Sequence, residues 1–191
     1  MTKSEARALV KARKSLMSKE EVLAKSRNIV NRLMELKEFC NEKKVLVYVS
    51  YNEEVDTWEL IERCLSLGKE VYVPKVYGET IKFHKINSFS LLKAGKYGIM
   101  EPSNEFRSEW DNLSGVMIMP GLAFGRDFSR VGYGGGFYDR YLSRSLGALK
   151  NKLTTIAVCF DFQIMDSVDV EDYDYRPDII VSESEVLRRT I

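Results

Sequence analysis

Apolar residues recur along this chain with two periods, near three to four residues in some stretches and two or fewer in others, and the changes of period divide it into helices and strands. From Ser18 to Met34 the apolar positions Val22, Leu23, Ile29, Val30, Leu33 and Met34 fall at helical spacing, which predicts an amphipathic helix. Ser18 with Glu21 forms the capping-box pattern that starts it. Val45 to Val49 is almost continuously apolar, as in a strand covered on both faces. Thr57 to Leu67 predicts a helix with Trp58, Ile61, Cys64 and Leu65 inward, and Gly68 stands as its C-terminal cap. A strand over Val71 to Val73 is then expected to end before Pro74. Ile81 to Ile86 alternates more weakly, and the region from Asn87 to Asp111 has so little periodicity that it reads as an excursion. Order resumes with a strand over Val116 to Met119, a glycine-rich loop, a helix to about Leu146, a strand over Thr155 to Cys159, and a short strand over Ile179 to Val181.

Strands separated by helices imply a mainly parallel sheet with helices on both faces, and ligands then collect at the carboxyl ends of the strands. The fold class is therefore α/β: a single three-layer, Rossmann-like α/β/α domain over residues 1–191. The composition agrees, with 191 residues, 45% hydrophobic and 30% charged, enough for one domain with a sizeable core. A formal net charge of +1 gives no general pull toward nucleic acid or membrane. Cys40, Cys64 and Cys159 form no C-x-x-C pair and lie in apolar segments, which predicts buried thiols in a reducing cytoplasm. No apolar run has membrane length. His84 is the lone histidine and lacks a nucleophile motif, so a structural role is expected, and zinc has no recognisable ligand set.

The chemistry concentrates between Met119 and Leu142. Pro120-Gly121 ends a strand, Gly132, Gly134, Gly135 and Gly136 follow, and Phe137, Tyr138, Tyr141 and Leu142 resume helical spacing. Glycines before a helix N-terminus let several backbone N–H groups converge on one anion. Arg130 adds a forked cationic donor, and Asp139 beside a phosphate implies a divalent cation between the two. The segment is neither a G-x-G-x-x-G fingerprint, since Phe137 stands where a third glycine belongs, nor a Walker A loop. Two plainer readings stand beside this one: a simple tight turn, and a first-turn acid that stabilises the helix dipole.

Arg130 to Asp139, preceded by Pro120 to Phe124, resembles the core motif of the 5-formyltetrahydrofolate cyclo-ligase family, also called 5,10-methenyltetrahydrofolate synthetases. Further matches are Lys3 and Arg7, Tyr48 to Thr57, Pro74, Tyr97-Gly98-Ile99 leading to Glu101-Pro102, Gln163, and the Asp174 to Asp178 spacing. The resemblance implies ATP- and magnesium-dependent cyclisation of 5-formyltetrahydrofolate to 5,10-methenyltetrahydrofolate. It implies that Lys3, Arg7 and the loop Arg130, Val131, Gly132, Tyr133, Gly134, Gly135, Gly136, Phe137 and Tyr138 bind nucleotide, with Arg130 and Asp139 catalytic. It also implies Val49 and Glu54 as folate contacts, joined by Tyr133, Gly134, Gly135, Gly136 and Phe137, and Asp139 with Asp174 as magnesium ligands. The family shows His-Asp where this chain has Tyr173-Asp174, which leaves Asp172 as a competing ligand. Tyr51, Tyr133 and Phe137 are candidates either to stack on the folate rings or to fill the core.

The expected partner is a small-molecule folate, with no nucleic acid or membrane, in a monomer or weak homodimer. Rival readings are a sugar-phosphate isomerase or acyl-transfer enzyme using the loop without ATP, a sensor of phosphorylated metabolites, and an RNA binder using Lys11, Arg13 and Lys14. RNA binding calls for a more basic chain.

Overall fold

A computed structural model describes residues 1–95, 97–103, 114–149, 153–171 and 173–190. It begins with three helices, α1 (Lys3–Lys14), α2 (Lys19–Met34) and the one-turn α3 (Lys37–Cys40), then β1 (Lys44–Val47), α4 (Trp58–Ser66), β2 (Glu70–Tyr77) and β3 (Thr80–Ile86). A two-strand hairpin, β4 (Leu92–Ala94) with β5 (Met100–Pro102), precedes β6 (Gly115–Met119), β7 (Ala123–Gly125), β8 (Arg130–Val131) and α5 (Phe137–Leu149). The described chain ends with β9 (Leu153–Val158), β10 (Ile164–Met165), β11 (Ile179–Val181) and β12 (Val186–Arg188).

The main sheet has the order β12-β11-β9-β6-β1-β2-β3. Its central strands β11, β9, β6, β1 and β2 run parallel, while β12 and β3 close the edges antiparallel. Alternate residues face opposite layers. Val45, Val47, Val116 and Ile118 pack with Ile29 and Leu33 of α2 and Leu60 and Ile61 of α4. Leu46, Met117 and Met119 pack on the other side with Leu142 of α5 and the partly buried Tyr138 and Tyr141. Each fully buried Leu or Ile contributes about 1.5–3 kcal/mol, so the two apolar layers fix the sheet and carry the loops at its carboxyl edge.

Local signals explain most boundaries. Ser18 and Glu21 form the reciprocal cap of α2. Gly68, at φ 72°, ends α4 in a Schellman arrangement, with the N–H of Gly68 donating to Leu65 and that of Lys69 to Cys64. Leu23 departs from its expectation and is exposed, because the buried stripe runs through Val22, Ser26, Ile29, Val30 and Leu33. Ser26 is useful there, since its hydroxyl accepts from the Asp56 N–H at 2.8 Å and pins the loop after β1.

Other expectations are corrected. Pro74 lies inside β2 rather than after it; pairing with β1 stops at Tyr72, so beyond that point one side of β2 needs no N–H donor. The weakly periodic region from Asn87 holds the β4–β5 hairpin, held down by Lys75, whose Nζ is 2.5 Å from Pro102 O and 3.5 Å from Glu101 Oε1. Lys96 and residues 104–113 lie outside the described residues. The stretch from Pro120 to Gly136 is not a bare loop: β7 and β8 pair, with β10 on their flank, in a small second sheet. Cys40 is exposed at the end of α3, unlike buried Cys64 and Cys159. Burial pushes the Cys64 thiol up to about 12, so it is inert. His84 is buried in β3 with Nε2 3.0 Å from the Tyr77 hydroxyl. Among the described residues no helix is long and apolar enough to cross a membrane.

Candidate active site

In the sheet order β1 leads to β2 on one side, while β6 leads to β9 on the other. Chains that part in this way open a crevice beyond the strand ends. Here the crevice is a cavity of about 880 Å³ between the loop after β1, the loop after β6, the end of α1, the β2–β3 turn and the β4–β5 hairpin.

The loop after β1 is braced from within. The Tyr48 hydroxyl donates to Val55 O at 2.8 Å, and the Thr57 hydroxyl to Tyr48 O at 2.7 Å. This turn presents Val49 and Glu54 to the cavity. Burial raises the Glu54 carboxyl above its ordinary value, opposed by the Tyr51 N–H bond at 2.9 Å, the charge of Lys14 and the Tyr133 hydroxyl.

The glycine loop is gripped by its carbonyls. Arg7 Nε donates to Gly132 O at 3.0 Å, and Arg140 Nη2 to Gly135 O at 2.6 Å, while Arg140 Nε reaches Glu79 O at 2.8 Å in the β2–β3 turn. Among the described residues none of the N–H groups from Gly132 to Gly136 donates to a backbone carbonyl. Gly134 at φ 105° and Gly136 at φ 62° adopt the left-handed backbone that this turn requires. A row of unengaged amides before α5 is a cradle for anionic oxygens.

Beneath it, Arg130 is 4% exposed. Its Nη2 lies 2.6 Å from Asp139 Oδ1, its Nη1 donates to Pro120 O at 3.3 Å, and its buried Nε has no partner. Asp139 Oδ1 also accepts from the Tyr175 N–H at 3.1 Å. The Tyr138 hydroxyl is buried without a partner as well, and burial raises its pKa. Two orphaned donors beside unengaged amides mark a place for acceptor atoms that the protein does not itself supply.

The 5-formyltetrahydrofolate cyclo-ligase family model matches residues 1–183. This chain belongs to that family. Among curated proteins it is 27% identical to mouse 5-formyltetrahydrofolate cyclo-ligase, over 93% of this chain and 91% of the mouse protein. It is 28% identical to a probable 5-formyltetrahydrofolate cyclo-ligase of Caenorhabditis elegans, over 97% and 94%. The solved structure of Aquifex aeolicus 5,10-methenyltetrahydrofolate synthetase superposes with a TM-score of 0.82 at 32% identity, covering 99% of this chain and 95% of that one. The Mycoplasma pneumoniae synthetase, at 21% identity and a TM-score of 0.70, shares the fold.

Of the residues that the cyclo-ligase motif singles out, Val49, Glu54, Arg130, Gly132, Tyr133, Gly135, Gly136, Phe137, Tyr138 and Asp139 line the cavity. Val131 is instead a core residue, packed with Ala6, Val10 and Ala123. Lys3, Arg7 and Asp174 stand beyond the wall: Arg7 on the Gly132 carbonyl, and Lys3 with its Nζ 2.5 Å from Asp174 Oδ2. The same Asp174 oxygen accepts from the Glu171 N–H at 2.6 Å. Tyr175 bonding to Asp139 brings this segment against α5. Asp172 lies outside the described residues. Tyr51 and Tyr133 are exposed at the cavity and Phe137 lies under the Arg140 guanidinium, 5.4 Å from its ring centre.

Sequence reasoning missed the place of Lys14, which lines the cavity but was treated there as part of a basic surface with Lys11 and Arg13. Those two are exposed, but Lys14 is 5% exposed. The signal was present: Ala6, Val10 and Lys14 are spaced by four, so the lysine ends the buried face of α1.

Proposed function

We propose that this chain catalyses the ATP-dependent cyclisation of 5-formyltetrahydrofolate to 5,10-methenyltetrahydrofolate with release of ADP and phosphate. The formyl group is an amide whose oxygen is a poor leaving group. That oxygen attacks the γ-phosphorus, the bond to the bridging oxygen of ADP breaks, and the neighbouring N10 closes on the formyl carbon. Phosphate then departs and N10 loses its proton, leaving the bridged cation. No covalent nucleophile is required. Alignment of two bound ligands supplies about 7–11 kcal/mol in favourable cases, and charge stabilisation adds to it.

The observation that carries this reading is the buried Arg130, fixed by Asp139 and Pro120 while its Nε stays orphaned beneath the unengaged glycine amides. In this reading the amides of Gly132, Gly134, Gly135 and Gly136 hold phosphate oxygens, and Tyr138 with Arg130 completes the cradle. Glu54 accepts paired N–H groups from the pterin edge, beside Val49, and Tyr133 or Phe137 stacks on a ring.

Magnesium fits the donor set. Among the described residues both bonds to Asp139 fall on Oδ1 and both to Asp174 on Oδ2, which leaves the other oxygen of each carboxylate for a cation. Magnesium takes one or two carboxylates and completes its shell with phosphates and water. Asp139 and Asp174 would hold it, and it would neutralise charge on the transferring group. Lys3 and Arg7 flank the same phosphates. The buried thiols of Cys64 and Cys159 suit a reducing cytoplasm.

The test mixes purified protein with 5-formyltetrahydrofolate, ATP and magnesium and follows the absorbance of the bridged product. Product formation that requires ATP is expected; none, or formation indifferent to ATP, rejects the proposal.

A further inference from the structure

Lys14 is a cation in an unusual place. It sits in the last turn of α1, 5% exposed, on the cavity wall. Among the described residues the one hydrogen bond of its ammonium is long, Nζ to the Tyr133 hydroxyl at 3.4 Å, and Nζ also lies 5.8 Å from the ring centres of Tyr133 and Phe160. Burial lowers its pKa, with the charges of Glu54 and Glu53 opposing. An ammonium taken from water without a carboxylate in ion-pair contact is costly. Its position becomes favourable when a strong acceptor enters the cavity.

Glu54, the Tyr133 hydroxyl and Lys14 therefore present an acceptor, a hydroxyl and a cationic donor side by side. We propose that Lys14 donates to the C4 oxygen of the pterin ring while Glu54 takes the adjacent N3–H and 2-amino groups. This rests on the folate reading above. A lactam edge places two donors directly beside one acceptor, so the pocket that matches it needs a carboxylate next to a donor. A triphosphate is the poorer match, because Glu54 repels it. The glutamate tail of a folate asks for exposed cations such as Lys11 and Arg13 rather than a buried one. Lys14 is thus a specificity-determining binding residue, separating 4-oxo pterins from rings that carry a donor at that position.

The experiment titrates two ring analogues, a 4-oxo and a 4-amino reduced pteridine, against wild type, Lys14→Met and Lys14→Gln, with ATP KM and melting temperature measured alongside. Wild type should prefer the 4-oxo ring by about tenfold or more, in line with a charge-assisted hydrogen bond. Lys14→Met should lose about tenfold for the 4-oxo ring and less than twofold for the 4-amino ring, with Lys14→Gln between and the ATP KM unchanged. Because the substitution removes a buried charge, its melting temperature should not fall. Equal losses for both rings, or an unshifted preference, overturn the assignment of Lys14. Failure of wild type to cyclise 5-formyltetrahydrofolate instead overturns the folate reading beneath it.

Discussion

Lys3 and Asp174 neutralise each other across 2.5 Å, although the family motif directs the first to phosphate and the second to metal. The pair closes the N-terminal helix against the segment that precedes β11. Nucleotide with magnesium would offer each partner a replacement of the right sign.

Exchange of that kind makes the two positions separable. Lys3→Met should raise the ATP KM about tenfold with little change in folate binding. Asp174→Asn should show its loss at limiting magnesium and recover as magnesium rises. Steady-state kinetics over a magnesium series checks both, and a defect in Asp174→Asn indifferent to magnesium would contradict the metal role.

Asp139 carries a structural burden as well, because it neutralises Arg130 in a nearly dry setting. Asp139→Ala strands that cation and should cost about 3–5 kcal/mol of stability. Asp139→Asn retains an oxygen for Arg130 and for the Tyr175 N–H, so it should melt closer to wild type while turnover still falls sharply. Denaturant unfolding of the two variants, set against their kcat, distinguishes the roles.

Under the proposed function Glu54 opposes folding and serves folate binding. Burial raises its carboxyl above the ordinary value, so its contribution to stability is fullest below the unfolded carboxylate value and is lost as pH rises through the raised one. Glu54→Gln should therefore melt higher than wild type at neutral pH, the difference shrinking toward about pH 4. Folate binding runs the other way: in wild type it should weaken as the carboxylate protonates, and the variant should lose folate affinity more than ATP affinity. Calorimetric melts and ligand titrations across pH read both slopes.

Gly134 isolates backbone conformation from space. An added Cβ meets nothing within 4 Å, yet φ is 105°. Gly134→Ala should cost about 1–2 kcal/mol and weaken nucleotide binding as the turn relaxes. An unchanged melting temperature with normal ATP KM would show that the turn tolerates a side chain.

The parallel core was legible because β1, β6, β9 and β11 each contain a run of three or more buried apolar residues. The edges were harder to read. In β3 Phe83 and His84 are both buried, which breaks the two-residue period, and Pro74 disguised the length of β2. Strands of two or three residues, such as β7, β8 and β10, are too short to show a period at all. At the site, the glycines, Arg130, Asp139 and Glu54 announced themselves by composition and motif. Lys14 did not, because a lysine among charged neighbours looks solvated until the packing of α1 turns it inward. The mutual pairing of Lys3 and Asp174 was equally hidden, since it joins the two ends of the chain.

Arg7 and Arg140 fasten one short turn to two distant parts of the polypeptide, the opening helix and the tip of the β2–β3 ribbon. Slack in either tether would reach the cavity as misaligned amides, with no residue of the turn altered. Damage at the margins of this protein can thus be felt at its centre.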